Sequence, residues 1–201
     1  FWSLEDVRLM PRVVQNPHPP VWIAAISTEE SFLYAARNGF NLMIVPYAGK
    51  PGQLQELVKL YRRVWAESGH KPGAEQVQVA QFAYVAEKRA EAQAGFERIC
   101  RRYLETFADA VQSWRGKSSD QYPGYDKMVA GILATTPDKI VAGGGAFVGT
   151  PEDVIGQIRA CVDAFGAIEP SMQINFGGST DQEALRTLEL FAQKVMPHFK
   201  N

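Results

Sequence analysis

The sequence predicts an α/β protein built as half of a (β/α)8 TIM-type barrel, with parallel strands lined by outer helices. Two observations carry this. Short apolar, β-branched runs alternate with longer segments of helical period, and recognisable helix starts and stops follow each run at once. Strands that alternate with helices fold as right-handed βαβ units around a parallel sheet. Four such units fit in the 201 residues, whereas a complete barrel takes about 250.

Residues 1–20 carry Pro11, Pro17, Pro19 and Pro20 and are expected to form an arm, because proline removes donors and pushes the preceding residue to extended backbone. The remaining residues, 21–201, are expected to form the partial barrel domain. Its first strand is Val21–Ala25, a run suited to a sheet buried on both faces. Ser27 and Glu30 have capping-box spacing and open a helix that Gly39 closes. Leu42–Val45 is the second strand. The next helix repeats Leu54, Leu57, Val58, Tyr61, Val64 and Trp65 at helical spacing.

Val77–Ala86 is the third strand and 87–114 a long amphipathic helix. A polar loop around Pro123-Gly124 follows, then helical turns that end in Gly143-Gly144-Gly145. Thr150-Pro151-x-Asp153 places a hydroxyl at the cap, proline at the first helical position and acids in the first turn. That helix is expected to bury Val154, Ile155, Ile158, Val162 and Phe165. The fourth strand is expected at Met172–Phe176, and the last helix to present Leu185, Leu188, Ala192 and Val195. No long Gly-rich turn directly follows the first strand, which disfavours a dinucleotide-binding doubly wound sheet.

Composition narrows the function. With 21 basic and 22 acidic residues the formal net charge is −1, so no basic field is available for nucleic acid or an anionic membrane. No apolar run approaches the ~20 residues of a membrane helix. Cys100 and Cys161 are isolated within helix-period segments, and His18, His70 and His198 stand apart from one another, so neither a disulfide framework nor a metal site is expected. A reducing, cytoplasmic setting is the expectation. The absent initiator Met suggests a fragment start.

Four segments stand in a fixed order: Pro-His-Pro-Pro-Val-Trp-Ile-Ala-Ala at 17–25, Ser31-x3-Ala35-Ala36-x2-Gly39, Phe-Val-Gly-Thr-Pro-Glu-Asp-Val at 147–154, and Ile-Asn-Phe-Gly-Gly at 174–178 before a helix ending in Met-Pro-His-Phe. In these the chain resembles the C-terminal half of the luciferase-like flavin-dependent monooxygenase family. The resemblance implies reduced FMN as cofactor, with a deazaflavin coenzyme as the alternative, and O2 and a small organic molecule as substrates. It also implies a missing N-terminal half-barrel, supplied by a partner or by a second copy in a homo-oligomer. A deazaflavin-dependent dehydrogenase and a half-barrel without turnover of its own are the competing functions.

Ser27, Thr28 and Ser31 lie where the first strand meets its helix. A helix N-terminus offers unpaired N–H groups and a positive dipole end to an anion. The resemblance implies that this turn holds the flavin phosphate. Plain capping by Ser27 and Glu30 is the other reading. Gly177 and Gly178 follow the fourth strand at the end where such barrels bind ligands, and they suit either close approach to a flat ring or a tight turn. Many relatives carry Pro-His just after these glycines; this chain has Thr180-Asp181 instead, and a histidine there is lost. Ala80 and Phe82 stand where sulfonate-oxidising relatives place a basic residue and a histidine, which argues against sulfonate chemistry. Gln78, Gln81, Tyr84, Gln173 and Asn175 are polar candidates for the barrel interior. No acid pair or general base is assigned.

Overall fold

In a computed structural model of the chain, which describes residues 3, 5–8, 10–16, 18–48, 52–114 and 130–199, five strands form one sheet in which every pairing is parallel. In chain order these are β1 (Trp22–Ala25), α1 (Glu29–Arg37), β2 (Asn41–Ile44), α2 (Gln53–Glu67), β3 (Val77–Val85), α3 (Arg89–Val111), α4 (Pro137–Ala142), β4 (Ala146–Gly149), α5 (Pro151–Phe165), β5 (Glu169–Gln173) and α6 (Asp181–Leu190). Antiparallel pairing, which a half-barrel excludes, does not occur among them.

β3 is the hinge of the sheet. β2 and β5 both pair with Gln78 and Val79, so they flank opposite edges of its first half, while β4 pairs with Phe82–Val85 in its second half. β1 pairs only with β2, and β5 only with β3, among the described residues. β4 was not foreseen. Only four residues long, it follows three glycines, and tertiary pairing rather than a local pattern defines it.

Side chains alternate across each strand. Ala25, Leu42, Ile44, Val77 and Val79 are buried against α1, α2 and α5 in the larger core, which is completed by Phe32, Tyr61, Trp65 and Val154. Their alternates, Trp22, Met43, Gln78 and Ala80, lie on the other face and are half-buried, with Ala24 exposed. A second core forms where β3 extends past β2: Phe82 and Tyr84 meet Phe96, Ile99 and Cys100 of α3, with Ile140 of α4 and Val148 of β4.

Helix ends follow the sequence in part. Thr150 and Asp153 form a reciprocal capping box with Pro151 at the first position, as expected, and Thr180 and Glu183 form another for α6. α1 differs. Its N-cap is Thr28 rather than Ser27, and no side chain caps it. The fourth expected strand is displaced: β5 covers Glu169–Gln173, three residues earlier than Met172–Phe176, because Gly177 and Gly178 need room for a turn against α3. Asn175 therefore lies beyond the strand and shares no strand face with Gln173.

The last helix is rotated from its expected phase. Thr187, Leu190 and Val195 are buried, whereas Leu185 and Leu188 are 59% and 50% exposed and Ala192 is exposed. Beyond these residues a π-helical stretch at Phe191–Val195 takes a five-residue step that carries burial from Leu190 to Val195. Thr187 Oγ1 also accepts from the Val85 N–H at 3.2 Å, which fixes a polar residue inward. Val162 of α5 faces solvent at 39% exposure, contrary to expectation.

Candidate functional site

β1 ends at Ala25, and three residues later the chain enters α1 at Glu29, so Ser27, Thr28 and Ser31 gather at one helix N-terminus. Ser27 and Thr28 are exposed and Ser31 is half-buried. Thr28 has extended backbone (φ −84°, ψ 108°) with no side-chain cap bond, and the Ser31 N–H donates to the Thr28 carbonyl at 3.0 Å. The hydroxyl groups thus take no part in capping. Glu30 leans along the helix to Arg37, 3.8 Å from its guanidinium, which draws one carboxylate toward the helix's far end.

Gly177 and Gly178 are held elsewhere. Counting β1–β2–β3–β5, they follow a strand three spacings from β1, roughly 14 Å across the sheet. Both have positive φ, +57° and +73°. A Cβ on Gly177 would sit 1.9 Å from the Ile99 carbonyl oxygen of α3, and one on Gly178 would sit 3.2 Å from the Arg102 guanidinium. Asn175 accepts from the Ser179 hydroxyl across the turn at 2.9 Å. Phe176 is packed on Phe82, ring centroids 4.4 Å apart, with Tyr103 and Phe96 around them. The glycine pair and the serine cluster therefore both follow the C-terminal ends of strands but stand at opposite edges of the sheet.

The polar candidates of β3 divide by parity. Gln78 lies half-buried on the inner face with Ala80, and α3 covers that same face farther along β3 at Phe82 and Tyr84. Gln81 is buried on the opposite side, its Nε2 donating to the Gly144 carbonyl at 2.9 Å and lying 3.6 Å from Cys161 Sγ. Tyr84 donates to Glu183 at 3.0 Å, and Arg98 bonds the same carboxylate. Gln173 is exposed at the end of β5.

The titratable groups with shifted proton affinity are all driven away from neutrality. Arg89, more than the Thr150 N–H and hydroxyl, holds Asp153 at about 2 against partial burial that opposes it. The Thr180 backbone N–H, then its hydroxyl, Arg98 and Tyr84, hold Glu183 at about 2, again against burial. Burial, then the bond to Glu183, raises Tyr84 to about 12, and burial raises the Cys100 and Cys161 thiols to about 11. Tyr47, buried beside Tyr103, is raised further. A general base or nucleophile works best with a proton affinity near the operating pH. At neutral pH Asp153 and Glu183 are therefore anions, and Tyr84, Cys100 and Cys161 neutral acids. The Arg89–Asp153 and Arg98–Glu183 ties, which join residues 64 and 85 positions apart, left no local signal in the sequence.

His18 Nδ1 donates to the Pro19 carbonyl, 2.7 Å away, and His70 lies against Trp65, ring centroids 4.8 Å apart, with Nε2 3.2 Å from the Arg37 carbonyl. Among the described residues no group of three His, Cys, Asp or Glu side chains is placed to hold a metal ion, and no helix is long and apolar enough to cross a membrane.

Comparison with known proteins places this architecture. The alkanal monooxygenase alpha chain of Photobacterium leiognathi is 28% identical over 98% of this chain and 56% of its own length. The oxygenase component of the flavin-dependent trigonelline monooxygenase of Acinetobacter baylyi is 24% identical over 99% of this chain and 54% of its own. The crystal structure of monooxygenase RslO1 from Streptomyces bottropensis superposes with a TM-score of 0.74 at 29% identity, covering 99% of this chain and 55% of that one. The FMN complex of the oxygenating constituent of 3,6-diketocamphane monooxygenase from Pseudomonas putida shares the fold at 19% identity, TM-score 0.64, over 90% of this chain and 49% of that one. The chain thus spans about half the length of the relatives it matches. The family description "Luciferase-like monooxygenase" matches residues 1–167, and with the parallel half-barrel in place the chain belongs to the luciferase-like monooxygenase family.

Proposed function

We propose that this chain is the C-terminal, phosphate-holding half of an FMN-dependent monooxygenase that acts on a small organic substrate with O2. One observation carries the reading: the hydroxyls of Ser27, Thr28 and Ser31 surround a helix N-terminus without capping it. Such a terminus presents N–H donors and a positive dipole end, and uncommitted hydroxyls add donors that suit a phosphate. The residues therefore fit the cofactor at its phosphate end. When bound, reduced flavin supplies the electrons for oxygen activation. The chain anchors the phosphate at α1 and offers the inner face of β1–β3 as one wall of the site.

The inner face and the free edges of β1 and β5 support a second element of the proposal: the working barrel is completed by another half, an N-terminal half-barrel or a second copy of this chain. Unpaired parallel edges and a half-buried Trp22 and Met43 on an uncovered face are what a strand or sheet from such a partner would cover.

Fluorescence titration of the purified chain with FMN and with riboflavin tests the phosphate assignment. Saturable binding of FMN that exceeds riboflavin supports it, and equal binding of the two overturns it. A parallel titration with a deazaflavin coenzyme decides whether the dehydrogenase reading displaces the monooxygenase one.

A further inference from the structure

Two apolar surfaces of this chain stay uncovered among the described residues, and they carry opposite charge. The first is the inner face of the sheet below the part that α3 covers. Strand register sets Ala24, Met43, Gln78 and Glu169 side by side across β1, β2, β3 and β5, with Trp22 on the same face of β1. Met172, whose parity is opposite to that of Glu169, packs into the larger core on the helix side, which fixes Glu169 as inner. Trp22, Met43 and Gln78 are half-buried, and Ala24 and Glu169 are exposed. Glu169 is the one charged side chain in this row, and it forms no ion pair among the described residues.

The second surface is the arm before β1. Val7, Met10, Val13 and Val14 are 65%, 72%, 49% and 96% exposed, so the arm covers neither its own sheet nor itself. A single exposed apolar side chain is ordinary, but a cluster of them marks a contact surface. Residues 7–14 also carry Arg8 and Arg12 and no acid. Both arginines are exposed, and neither forms an ion pair among the described residues. Extended, the chain from Val7 to Trp22 reaches up to roughly 50 Å, against roughly 14 Å across the sheet from β1 to β5. Pro11 lacks an N–H donor, so the arm suits a face of side chains better than a hydrogen-bonded strand edge.

We infer that the arm of a second copy of this chain covers the inner face, in a two-fold pair that exchanges arms. Met10, Val13 and Val14 of one copy lie on the apolar row of the other, and Arg8 and Arg12 reach the carboxylate of Glu169 at its end. Covering Trp22, Ala24 and Met43 takes water from Glu169 beside them, and a carboxylate so enclosed needs a counter-charge. Reciprocal exchange gives both copies the same contacts and closes the assembly at two. The inference concerns the chain by itself, without another half-barrel, and does not depend on the flavin reading.

The test is sedimentation equilibrium of the full chain and of charge-swapped variants. The wild type is expected to be a dimer. Val13→Ser combined with Val14→Ser, at exposed positions outside the sheet and its helices, should weaken it at least tenfold and leave the fold intact. Glu169→Arg alone, and Arg8→Glu with Arg12→Glu, should each weaken it about three- to tenfold, and the combination of all three should return to within about threefold of the wild type. A monomeric wild type would overturn the inference, as would wild-type affinity in the double serine variant. A combined charge swap no tighter than its parents would also overturn it. A monomer that binds a hydrophobic dye only after the serine substitutions would place the arm on its own sheet and overturn the second copy as occupant.

Discussion

The Arg89 side chain, on the first turn of α3, closes on the Asp153 carboxylate in the first turn of α5, with Nε 2.9 Å from Oδ2. The same carboxylate accepts from the Thr150 N–H at 3.1 Å. One side chain thus caps a helix and ties it to the start of another. Asp153→Ala removes both roles and should lower stability by about 1–2 kcal/mol, most of it from the cap, because Arg89 is exposed enough for water to screen the ion pair. Urea unfolding of the variant checks this. An effect confined to Arg89→Ala, with Asp153→Ala silent, would contradict the assignment.

Acid should act through Asp153 and Glu183. Both are held at about 2, below their ordinary values of 3.8 and 4.5, so the folded state favours the charged form. Their stabilisation is fully present above the ordinary carboxylate range and fades as pH falls toward about 2, when the folded protein also takes up the protons. Each contributes roughly 1 kcal/mol after allowance for solvent at Arg89 and Arg98. The thermal midpoint should fall more steeply over this range in the wild type than in a Glu183→Gln variant. Identical acid slopes would remove Glu183 from the account.

The adjacent glycines should behave differently. Gly177→Ala drives a Cβ to 1.9 Å from backbone at Ile99, at φ +57°, and neither side can yield without moving α3. A loss of about 3 kcal/mol or more is expected. Gly178→Ala meets the flexible end of Arg102 at 3.2 Å and should cost about 1–2 kcal/mol, mainly from its left-handed backbone. Equal losses in chemical denaturation would mean that the turn relaxes freely away from α3.

Much of this architecture was legible because it rests on local pattern. Buried runs at β1, β2 and β3, the Thr150-Pro151-x-Asp153 helix start and the glycine stops each carry their signal within a few residues. What the sequence concealed depends on contacts between distant segments. β4 exists because β3 is long enough to pair beyond β2. The fourth strand moved three residues earlier because α3 occupies the space beside Gly177. The last helix turns Thr187 inward, where it accepts a hydrogen bond from the Val85 N–H, and only beyond Leu190 does a π-helical step reset the phase. At the candidate site, Ser27 and Glu30 had the spacing of a capping box, yet spacing alone does not place the cap, and the structure puts Thr28 there with its hydroxyl uncommitted.

That uncommitted hydroxyl separates two roles cleanly. A capping residue lost to Ala costs typically about 1 kcal/mol, whereas Thr28→Ala should leave stability within about 0.5 kcal/mol, as for an ordinary surface site. The Ser27→Ala, Ser31→Ala double variant should likewise fold normally but bind FMN more weakly, by about 1.5–3 kcal/mol for each bond to phosphate that is lost, with riboflavin binding unchanged. Unchanged FMN affinity would remove the phosphate from this turn.

Assembly follows from what the sheet leaves uncovered. β1 and β5 each have one strand partner among the described residues; β1 carries neither charge nor proline, whereas β5 opens on Glu169 and Pro170, which blunt that end of its edge. Trp22 and Met43 lie on the inner face with Ala24, which is exposed and pairs with Met43, while Leu185 and Leu188 face solvent on α6. Exposed apolar surface of this extent favours association, most simply a two-fold pair. The chain alone should therefore run in dilute solution at twice its monomer mass or bind a hydrophobic dye as a monomer. Ala24→Lys places a charge on the inner face at a position that is exposed within the chain, so it should spare the fold and disrupt the pair. A stable monomer that binds no dye, or a dimer indifferent to Ala24→Lys, would show that the inner face is not the surface that assembles.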